Sequence, residues 1–439
     1  MGGEHWKTVG DLVTLQRGTT YSGKLVGALG PALLGLGSIE PGGGFRPDKY
    51  KTFGGEYPAK LMLSPGDIYV ALKGATKDGS MVGSVARLPD NVPSGRLTQD
   101  TARLDFRDKD PETSKHLYWV LRTPQYRQYC EGRLTGSAAA SFSREDFLSY
   151  QIPPINQTTR NMVSFFDAIE AKIELNRRMN ATLEAMARAL FQSWFVDFDP
   201  VRAKLDGRQP AGLDAATAAL FPASFQDSLL GPIPLGWSVR GLDQIATYLN
   251  GLALQKFPPR DAPTLPAIKI AQLRKGDTVG ADRCGAHVPS DYVINDGDVI
   301  FSWSGSLEVE VWCGGQGALN QHLFKVTSSV YPKWFYYLWT RHHLDEFRFI
   351  AADKATTMGH IQRRHLTDAK AIIPDRGLIE GMSRVLTPLI EQRIANSIQS
   401  RTLATLRNRL LPGLLNGAIS PAVPEASSLF GVGKDGRAQ

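Results

Sequence analysis

The chain contains an internal repeat that covers most of its length. The segment GDIYVALKG at 66–74 returns as GDVIFSWSG at 297–305. Downstream, LYWVLRT at 117–123 resembles WFYYLWT at 334–340. The two offsets, 231 and 217 residues, are each about half of the 439-residue chain. A repeat at a nearly constant offset indicates one structural unit encoded twice, so any fold for this chain must contain two related halves.

Each half begins with a globular region and continues into a long helix. Residues 1–155 carry short apolar runs separated by Gly, Pro and Asp, which predict short strands, loops and a helix near 113–130. From Asn156 the sequence has helical periodicity without Gly or Pro until Pro200, and Asn156 is a suitable N-cap. We therefore expect each globular region to be a mixed α+β domain.

The same pattern in the second half sets the domain organisation. If the halves are related by a pseudo-twofold axis, the second long helix must run back antiparallel to the first. The predicted fold class is α+β, with two mixed α+β domains separated by two long antiparallel helices. The predicted parts are a first domain (1–155), a first long helix (156–200), a connector (201–232), a second domain (233–374), a second long helix (375–419) and a disordered tail (420–439).

The first long helix carries a stripe with the spacing of a coiled-coil seam. Its members alternate at intervals of four and three residues: Met162, Phe166, Ile169, Ile173, Asn176, Asn180, Leu183, Ala187, Leu190 and Trp194. An amphipathic helix lying on its own domain would also show such a stripe. We favour pairing with the second long helix, where Asn176 and Asn180 would fix the register. The apolar positions of the second helix are less regular, so pairing over its whole length stays open.

Composition limits the class of protein. The chain has 50 Lys and Arg against 43 Asp and Glu, a net charge of +7 and a pI near 9.2, which permits nucleic-acid binding. Its three cysteines form no CxxC motif, so neither a disulfide framework nor a zinc knuckle is indicated, and we expect no metal. The amino terminus lacks a basic segment followed by a long apolar one, so we expect a cytoplasmic protein without a membrane span.

The chain resembles the specificity subunits of type I restriction-modification enzymes. The resemblance lies in the domain–helix–domain–helix order, in LFQSWFVDFDPVR at 190–202 and in PIPLGW at 232–237. Thr182–Ala185 (TLEA) also resembles the tetrapeptide that some members repeat to lengthen the spacer between their two target-recognition domains. The resemblance implies a subunit that recognises a bipartite, asymmetric target in double-stranded DNA and performs no chemistry itself.

The family's organisation also implies partners. Two methyltransferase subunits, which use S-adenosylmethionine to methylate adenine N6, are expected to dock on the spacer region, and motor-nuclease subunits to join them. No cofactor is expected on this chain. Neither Pro-Pro pair, at 153–154 or 258–259, has the flanking residues of an adenine methyltransferase. The segment GTTYSGK at 18–24 has P-loop spacing, but Leu25 replaces the hydroxyl residue that would bind Mg²⁺.

Candidate DNA contacts lie in loops of the two α+β domains. In the first domain, the loop at 72–84 offers Lys73, Thr76 and Lys77, although an ordinary surface turn would look the same. The loops at 133–144 and 354–364 are equivalent in the two halves and resemble a Ser/Thr-rich loop of the family's recognition domain. Their candidate contacts to bases or phosphates are Ser137, Ser141, Ser143 and Arg144 in the first domain and Thr356, His360, Gln362 and Arg363 in the second.

The region corresponding to the first loop differs in the second half. At Ser302–Val311 the lysines give way to Glu308 and Glu310, so we expect contacts of the first loop not to transfer to it.

The aromatic run after the first helix permits two interpretations. Trp194, Phe195 and Phe198 could form part of a docking surface for a methyltransferase, because aromatic residues concentrate binding energy at interfaces. Alternatively, they pack against the connector that follows the helix. We slightly favour docking.

Two other classes of function stay open. The chain could be a single-chain methyltransferase or nuclease with unrecognised motifs, or a coiled-coil scaffold that does not bind DNA.

Overall fold

A computed structural model describes residues 6–47, 49–74, 79–136, 140–260, 263–353 and 359–416. The chain divides into two compact units. Unit 1 comprises Met1–Ala171 and Ala404–Gln439, and unit 2 comprises Lys172–Leu403. Each long helix therefore contributes residues to both units. No helix in the described ranges has the length and hydrophobicity needed to cross a membrane.

Unit 1 begins with short strands and short helices. The strands are β1 Lys7–Thr8, β2 Val13–Arg17, β3 Ala32–Leu34, β4 Met62–Leu63, β5 Ile68–Ala71, β6 Val85–Arg87, β7 Gly95–Leu97, β8 Thr101–Phe106 and β9 Gln151–Ile152. The helices are α1 Val9–Leu12, α2 Pro111–Val120, α3 Pro124–Glu131 and α4 Arg144–Ser149, with 3-10 turns at Gly23–Leu25, Leu36–Ser38 and Ala59–Leu61. Proline at the first position and Asp110 or Thr123 as N-cap explain where α2 and α3 begin.

The first long helix, α5, spans Gln157–Phe191 and continues as a π-helical turn at Gln192–Val196. Asn156 caps it as predicted. The Thr159 amide donates to Asn156 Oδ1 at 3.0 Å, and the Asn156 amide donates to Thr159 Oγ1 at 2.9 Å. Phe198 follows with φ at 56°, a left-handed conformation that ends the helical path.

Unit 2 repeats this arrangement. Its strands are β10 Phe225–Gln226, β11 Ile233–Pro234, β12 Ser238–Gly241, β13 Thr247–Asn250, β14 Thr264–Ile268, β15 Arg283–Gly285, β16 Val293–Ile294, β17 Val299–Ser302, β18 Val309–Val311, β19 Gly317–Leu319, β20 Leu323–Thr327 and β21 Lys370–Ile373. Its shorter helices are α6 Asp199–Leu205, α7 Ala215–Leu220, α8 Leu242–Ile245, α9 Ile270–Lys275, α10 Lys333–His342, α11 Leu344–Asp353 and α12 Arg363–Asp368, with 3-10 turns at Leu254–Lys256 and Ser290–Tyr292. The second long helix, α13, spans Arg376–Leu410, and α14 follows at Gly413–Asn416.

The sheets show the repeat directly. Unit 1 contains an antiparallel sheet of order β2-β8-β5-β6, and unit 2 contains one of order β13-β20-β17-β18. A second sheet, β3-β7-β4 in unit 1, corresponds to β14-β19-β16 in unit 2, and each set has one parallel and one antiparallel pair. In unit 2 this sheet has a fourth strand, β15, which pairs antiparallel with β14. The first and last strands pair as β1-β9 and β12-β21. The two halves therefore share one topology, which confirms the predicted internal repeat of α+β domains.

A close backbone approach recurs at two equivalent glycines. A Cβ atom on Gly18 would lie 2.1 Å from the Thr98 carbonyl oxygen, and one on Gly251 would lie 2.2 Å from that of Asn320. Both distances are far inside van der Waals contact. Only glycine fits at either position, so the first glycine of the P-loop-like segment has a packing role.

The long helices pair in unit 2 through a polar seam. Asn176 Nδ2 donates to the Asn396 carbonyl oxygen, to Gln399 Oε1 and to Ser400 Oγ at 3.3, 2.9 and 3.2 Å. Asn180 Nδ2 donates to Ser397 Oγ at 2.9 Å. Partner numbers fall along α13 as they rise along α5, so these segments run antiparallel, and the two predicted seam asparagines do contact the second helix.

An ionic cluster attaches α13 and α5 to the α+β part of unit 2. Arg341 Nη2 lies 2.6 Å from Glu184 Oε1, and Arg393 Nη2 lies 3.3 Å from Glu184 Oε2. Glu310 pairs with both arginines, at 3.3 and 2.9 Å. Each guanidinium thus has a carboxylate partner where burial would otherwise make its charge costly.

Unit 1 has a matching cluster with a different distribution of charge. Arg122, which is 4% exposed at its side chain, donates to Glu170 Oε1 of α5 at 2.5 Å. Arg87 Nη2 lies 3.4 Å and Arg407 Nη1 3.6 Å from the same carboxylate. Burial alone would raise the pKa of Glu170, but Arg122 and then the other arginines lower it below the ordinary value of 4.5.

Helix ends also complete the hydrophobic cores. In unit 1, Leu411 and Leu414 lie in the core with Trp119 and Phe166. In unit 2, Phe191 and Phe195 lie in the core with Trp334. Each α+β core therefore includes residues at or just after the end of the long helix that begins in the other half of the sequence.

Candidate nucleic-acid interface

Two loops of unit 1 cross beside the end of β5. The Gly74 amide donates to the Ala140 carbonyl oxygen at 2.8 Å, and the Phe142 amide donates to that of Leu72 at 3.0 Å. Lys73 and Ser141 stand opposite each other as an antiparallel bridge. We call this arrangement the loop crossing. It brings two of the predicted contacts together on one surface, with Lys73 exposed and Ser141 half-buried.

Unit 2 builds the same loop crossing. The Gly305 amide donates to the Gly359 carbonyl oxygen at 2.9 Å, and the Ile361 amide donates to that of Trp303 at 3.0 Å. Ser304 and His360 form the equivalent bridge. The predicted equivalence of the later loops therefore holds. The loops that follow β5 and β17 also have equivalent backbone hydrogen bonds, although Ser304 stands at the position of Lys73.

A short helix begins immediately after each loop crossing. Ser143 caps α4, because its hydroxyl accepts from the Asp146 amide at 2.9 Å and donates to Asp146 Oδ2 at 2.5 Å. In unit 2 the Gln362 amide donates to His365 Nδ1 at 3.1 Å at the start of α12. Both of these bonds lie within the helix start, so Ser143 has a capping role, and its predicted DNA contact stays a prediction.

Arg144 and Arg363 occupy the first positions of these two helices and are exposed. In the part of the chain that the structure describes, the guanidinium of Arg144 has no hydrogen bond or ion pair. The guanidinium of Arg363 lies 5.8 Å from the centre of the Phe324 ring. Exposed guanidinium groups next to a fixed turn are suitable donors to phosphate oxygens or to guanine.

The remaining predicted contacts have diverse surroundings. Ser141 Oγ lies 3.1 Å from Thr135 Oγ1, and the His360 ring lies 6.3 Å from that of Trp303. Gln362 is exposed. The predicted contacts at Thr76, Lys77, Ser137 and Thr356 lie outside the described residues.

The structure adds a turn to each loop crossing that sequence reasoning missed. The Leu72 amide donates to the Asp100 carbonyl oxygen at 3.0 Å, and the Trp303 amide donates to that of His322 at 3.3 Å. Gln99 and Gln321 precede these acceptors. The turns follow the equivalent strands β7 and β19, which is the one signal that could have identified them. Their residue types are ordinary for surface turns.

Side chains around the unit 2 crossing are linked to one another. Trp303 Nε1 donates to Asn250 Oδ1 at 2.9 Å, and Ser304 Oγ lies 3.0 Å from His322 Nδ1. Gln321 Nε2 lies 3.4 Å from His322 Nε2. We call these five residues the Trp303 cluster. Because its members hold one another, little conformational freedom remains to be lost on binding.

The unit 1 crossing is more basic and less linked. Arg17, which corresponds to Asn250, is exposed, and its Nε donates to the Gln99 carbonyl oxygen at 3.4 Å. Lys73 is exposed at the position of Ser304. The two crossings thus present different donors and acceptors on the same backbone framework.

The docking interpretation of the aromatic run is wrong for its side chains. Trp194 is 2%, Phe195 0% and Phe198 7% exposed. Trp194 packs against Phe221 of the connector, with ring centres 6.4 Å apart, and Phe195 contacts Trp237 at 5.8 Å. Trp194 thus packs on the connector, as the alternative interpretation held, and all three rings also lie in the core of unit 2, because bulky apolar rings are most stable where they exclude water.

The described residues offer no grouping of three or more His, Cys, Asp or Glu side chains suited to a metal ion. In the P-loop-like segment, Gly23–Leu25 forms a 3-10 turn instead of starting a long helix.

Comparison with known proteins identifies the group to which these features belong. The chain is 25% identical over 341 residues to the type I restriction enzyme MjaIX specificity subunit of Methanocaldococcus jannaschii, which covers 75% of this chain and 74% of that protein. It is 24% identical over 347 residues to the type I restriction enzyme HindI specificity subunit of Haemophilus influenzae, and the match covers 68% of this chain and 74% of that protein. The chain is a homologue of type I specificity subunits.

A solved structure supports the same relationship at the level of the fold. The S subunit of a type I restriction-modification system from M. genitalium superposes with a TM-score of 0.54 at 12% identity, over 94% of this chain and 97% of that one. The fold of specificity subunits, with mixed α+β domains and two long helices, is therefore confirmed. No protein-family model matches the chain.

Proposed function

We propose that this chain recognises DNA sequence for a type I restriction-modification complex, with each loop crossing reading one half of a bipartite, asymmetric target. The observation that carries the proposal is that two crossings with the same backbone hydrogen bonds present different side chains. One framework that displays different donors and acceptors can read two different half-sites. The relatives are specificity subunits, which agrees with this role.

The residues proposed to contact DNA follow from exposure and position. In unit 1 they are Lys73, Ser141 and Arg144. In unit 2 they are His360, Gln362 and Arg363, together with the half-buried members of the Trp303 cluster. Lysine and arginine would neutralise phosphates, whereas glutamine and arginine can pair with adenine and guanine.

A methyltransferase partner needs a different surface from the one suggested by the aromatic run. The α5 helix exposes Leu175, Met179 and Met186 at 44%, 36% and 49%. At helical spacing these three side chains share one face. We propose this face as part of the docking surface for methyltransferase subunits, which would bind S-adenosylmethionine, with motor-nuclease subunits joining the complex.

Glu184 provides a way to place that surface. Its carboxylate forms ion pairs with Arg341 and Arg393 on the side of α5 that packs against the α+β part of unit 2. Met186→Glu should therefore weaken association with the methyltransferase without disturbing the ionic cluster. Co-purification with the partner measures the effect, and Arg188→Glu, an exposed change on the same helix, serves as the control.

The proposed function is tested by DNA binding as a function of salt. Phosphate contacts release counterions, so affinity for target DNA should fall steeply as salt rises. A coiled-coil scaffold would show no such binding. An enzyme with unrecognised motifs would transfer methyl groups from labelled S-adenosylmethionine to DNA without any partner, and that result would exclude a purely recognising subunit.

The paired helices are proposed to set the separation of the half-sites. Duplicating Thr182–Ala185 adds four residues, or about 6 Å of helix. The unread gap between half-sites should then grow by one or two base pairs of about 3.4 Å each, with both half-sites unchanged. Mapping methylated sites for the duplicated variant in the reconstituted complex checks this, and altered half-sites would contradict it.

A further inference from the structure

A groove of about 540 Å³ lies beside the loop crossing of unit 1. Four chain segments meet around it: the turn after β2, the end of β3 with its 3-10 turn, the strand-like segment near Lys51 and the turn after β7. Its lining includes Tyr21, Gly23, Gly35, Lys49, Lys51 and Thr98. The volume is in the range of sites that hold small ligands or one unit of a polymer.

Glycines keep the groove open. Gly23 has nothing within 4 Å of where a Cβ would be, and the nearest atom for Gly35 is Thr98 Oγ1 at 3.1 Å. The pairing of β3 with β7 and of β14 with β19 makes Lys269 the equivalent of Gly35. In unit 2 that residue precedes α9, so the glycine-lined wall is particular to unit 1.

Positive charge lines the groove. Lys49 and Lys51 are exposed, and within the described ranges neither ammonium group has a hydrogen bond or an ion pair. Asp100 supplies one opposing carboxylate. Thr98, 4% exposed, also lines the groove, and its Oγ1 has no hydrogen-bond partner among the residues described. A buried hydroxyl without a partner is costly in isolation, so it suits a position close to a polar ligand.

Tyr21 offers a fixed aromatic surface at the same groove. Its side chain is 41% exposed, and its ring meets that of Phe53 edge to face at 5.8 Å. The buried guanidinium of Arg96 lies 5.4 Å from the Tyr21 ring and donates to the Thr20 carbonyl oxygen at 3.0 Å. These contacts hold the ring in place, and a flat exposed ring can pack against a sugar or a base.

The groove is continuous with the loop crossing. Asp100, which lines the groove, accepts through its carbonyl oxygen from the Leu72 amide, next to Lys73. The carbonyl oxygen of Gln99, which also lines the groove, accepts from Arg17 Nε. The turn at 99–100 therefore joins Lys73 of the crossing to the groove that Lys49 and Lys51 line within unit 1.

We propose that this groove holds the phosphodiester backbone of one DNA strand, adjacent to the half-site read by unit 1. The inference rests on the proposed function. Lys49 and Lys51 neutralise phosphates, the glycines allow the backbone to approach closely, and Tyr21 packs against a sugar. Such contacts position the protein on DNA without reading sequence.

The test is the salt dependence of DNA binding by the Lys49→Gln, Lys51→Gln double variant of the full chain. Each lost phosphate contact lowers the slope of log K against log salt by about 0.9. The slope should therefore become shallower by about 1.8, with affinity reduced most at low salt and the preferred sequence unchanged. The matched control replaces Lys60 and Lys109, two exposed lysines of unit 1 outside the groove, and should leave the slope nearly unaltered.

Each outcome has a defined meaning. If the unaltered chain shows no salt-dependent DNA binding, the proposed function itself fails. If that chain binds DNA but the groove and control variants have the same slope, the groove proposal alone fails. A changed sequence preference would make the groove a base-reading site and would also overturn the proposal. Tight binding of deoxyadenosine monophosphate that depends on both lysines, without any change in the DNA slope, would assign the groove to a free nucleotide instead.

Discussion

Units 1 and 2 build the loop crossing with equivalent backbone bonds but surround it with different chemistry. Around the unit 1 crossing, Arg17 and Lys73 are exposed and a glycine-lined groove adjoins the site. Around the unit 2 crossing, Trp303 and His322 are held by hydrogen bonds to their neighbours. A duplicated fold can thus keep its strand order and its turns while the residues that face a ligand diverge.

This difference suggests unequal roles for the two units in binding. Mobile cations contact phosphates well, because charge attraction tolerates variable geometry. Linked aromatic and amide groups favour fixed contacts to base edges or methyl groups. We expect unit 1 to contribute more of the salt-dependent affinity and unit 2 more of the salt-independent discrimination.

The cores differ as well. The end of α5 closes the unit 2 core with aromatic rings, including Phe195, which is 0% exposed. The chain after α13 closes the unit 1 core with leucines, including Leu414, also 0% exposed. Aromatic rings bury more area than leucines, so the closure of unit 2 should be the stronger one.

The largest expected effect tests that difference in closure. Phe195→Ala should destabilise unit 2 by about 3–5 kcal/mol, the usual cost of removing a buried aromatic side chain. Urea unfolding combined with hydrogen exchange resolves which unit is affected. Leu414→Ala is the counterpart and should lower protection in unit 1. Loss of protection in both units from either single change would contradict separate closure of the two cores.

The next effect concerns the Trp303 cluster. Trp303→Ala removes the ring that organises Asn250 and His322, and should weaken binding to DNA by about 1–3 kcal/mol, comparable to losing one good base contact. The loss should appear on DNA with an intact second half-site and disappear when that half-site is mutated. Binding assays on matched duplexes measure it. Lys73→Ala provides the comparison in unit 1, where the loss should depend strongly on salt. Equal salt dependence for both variants would remove the proposed difference between the units.

The smallest effect is a dependence on pH in the ionic cluster of unit 1. Burial raises the pKa of Glu170, but charge attraction and a hydrogen bond from Arg122, together with attraction to Arg87 and Arg407, lower it below 4.5. A carboxylate whose folded pKa is depressed stabilises the protein above its unfolded pKa and loses that contribution as pH falls through the folded pKa. The thermal stability of unit 1 should therefore decrease as pH falls below about 4.5, and it should decrease less steeply in Glu170→Gln. Identical pH profiles for the two proteins would show that the ion pairs do not stabilise unit 1.

Much of the architecture was predictable because it rests on local pattern. Asn156 is an N-cap by residue type, and Asn176 and Asn180 fall on a heptad seam whose partner is the second helix. The internal repeat placed equivalent strands at equivalent positions. Such features depend on residue spacing along the chain, so they can be found without coordinates.

The errors arose where distant residues decide the outcome. The burial of Trp194 and Phe195 depends on Trp237, Trp334 and Phe221, which the chain brings together only in the folded unit. Trp194 and Phe195 both lie in the π-helical turn that follows Phe191. Ser143 was predicted only as a DNA contact, yet its hydroxyl also caps α4 through Asp146 three residues later, a capping pattern that the sequence SRED already contained.

The site was predictable in position and only partly in composition. Ser141 and His360 lie at the loop crossings, as their equivalent positions suggested. Gln99 and Gln321 were missed because nothing in a surface turn distinguishes a residue that faces a ligand from one that faces water. Their position after the equivalent strands β7 and β19 was the one available signal, and the hydrogen bonds that join these turns to the crossings now identify them.

The central claim is that each loop crossing reads its own half-site. The most direct measurement replaces residues 140–144 with the sequence found at 359–363 and leaves 359–363 unchanged. The variant chain is then reconstituted with its methyltransferase partner, and every methylated site is mapped. Our account predicts that the first half-site changes while the second half-site and the gap between them are retained. If an active complex methylates the original sequence, or if both half-sites change together, the assignment of one crossing to each half-site is wrong.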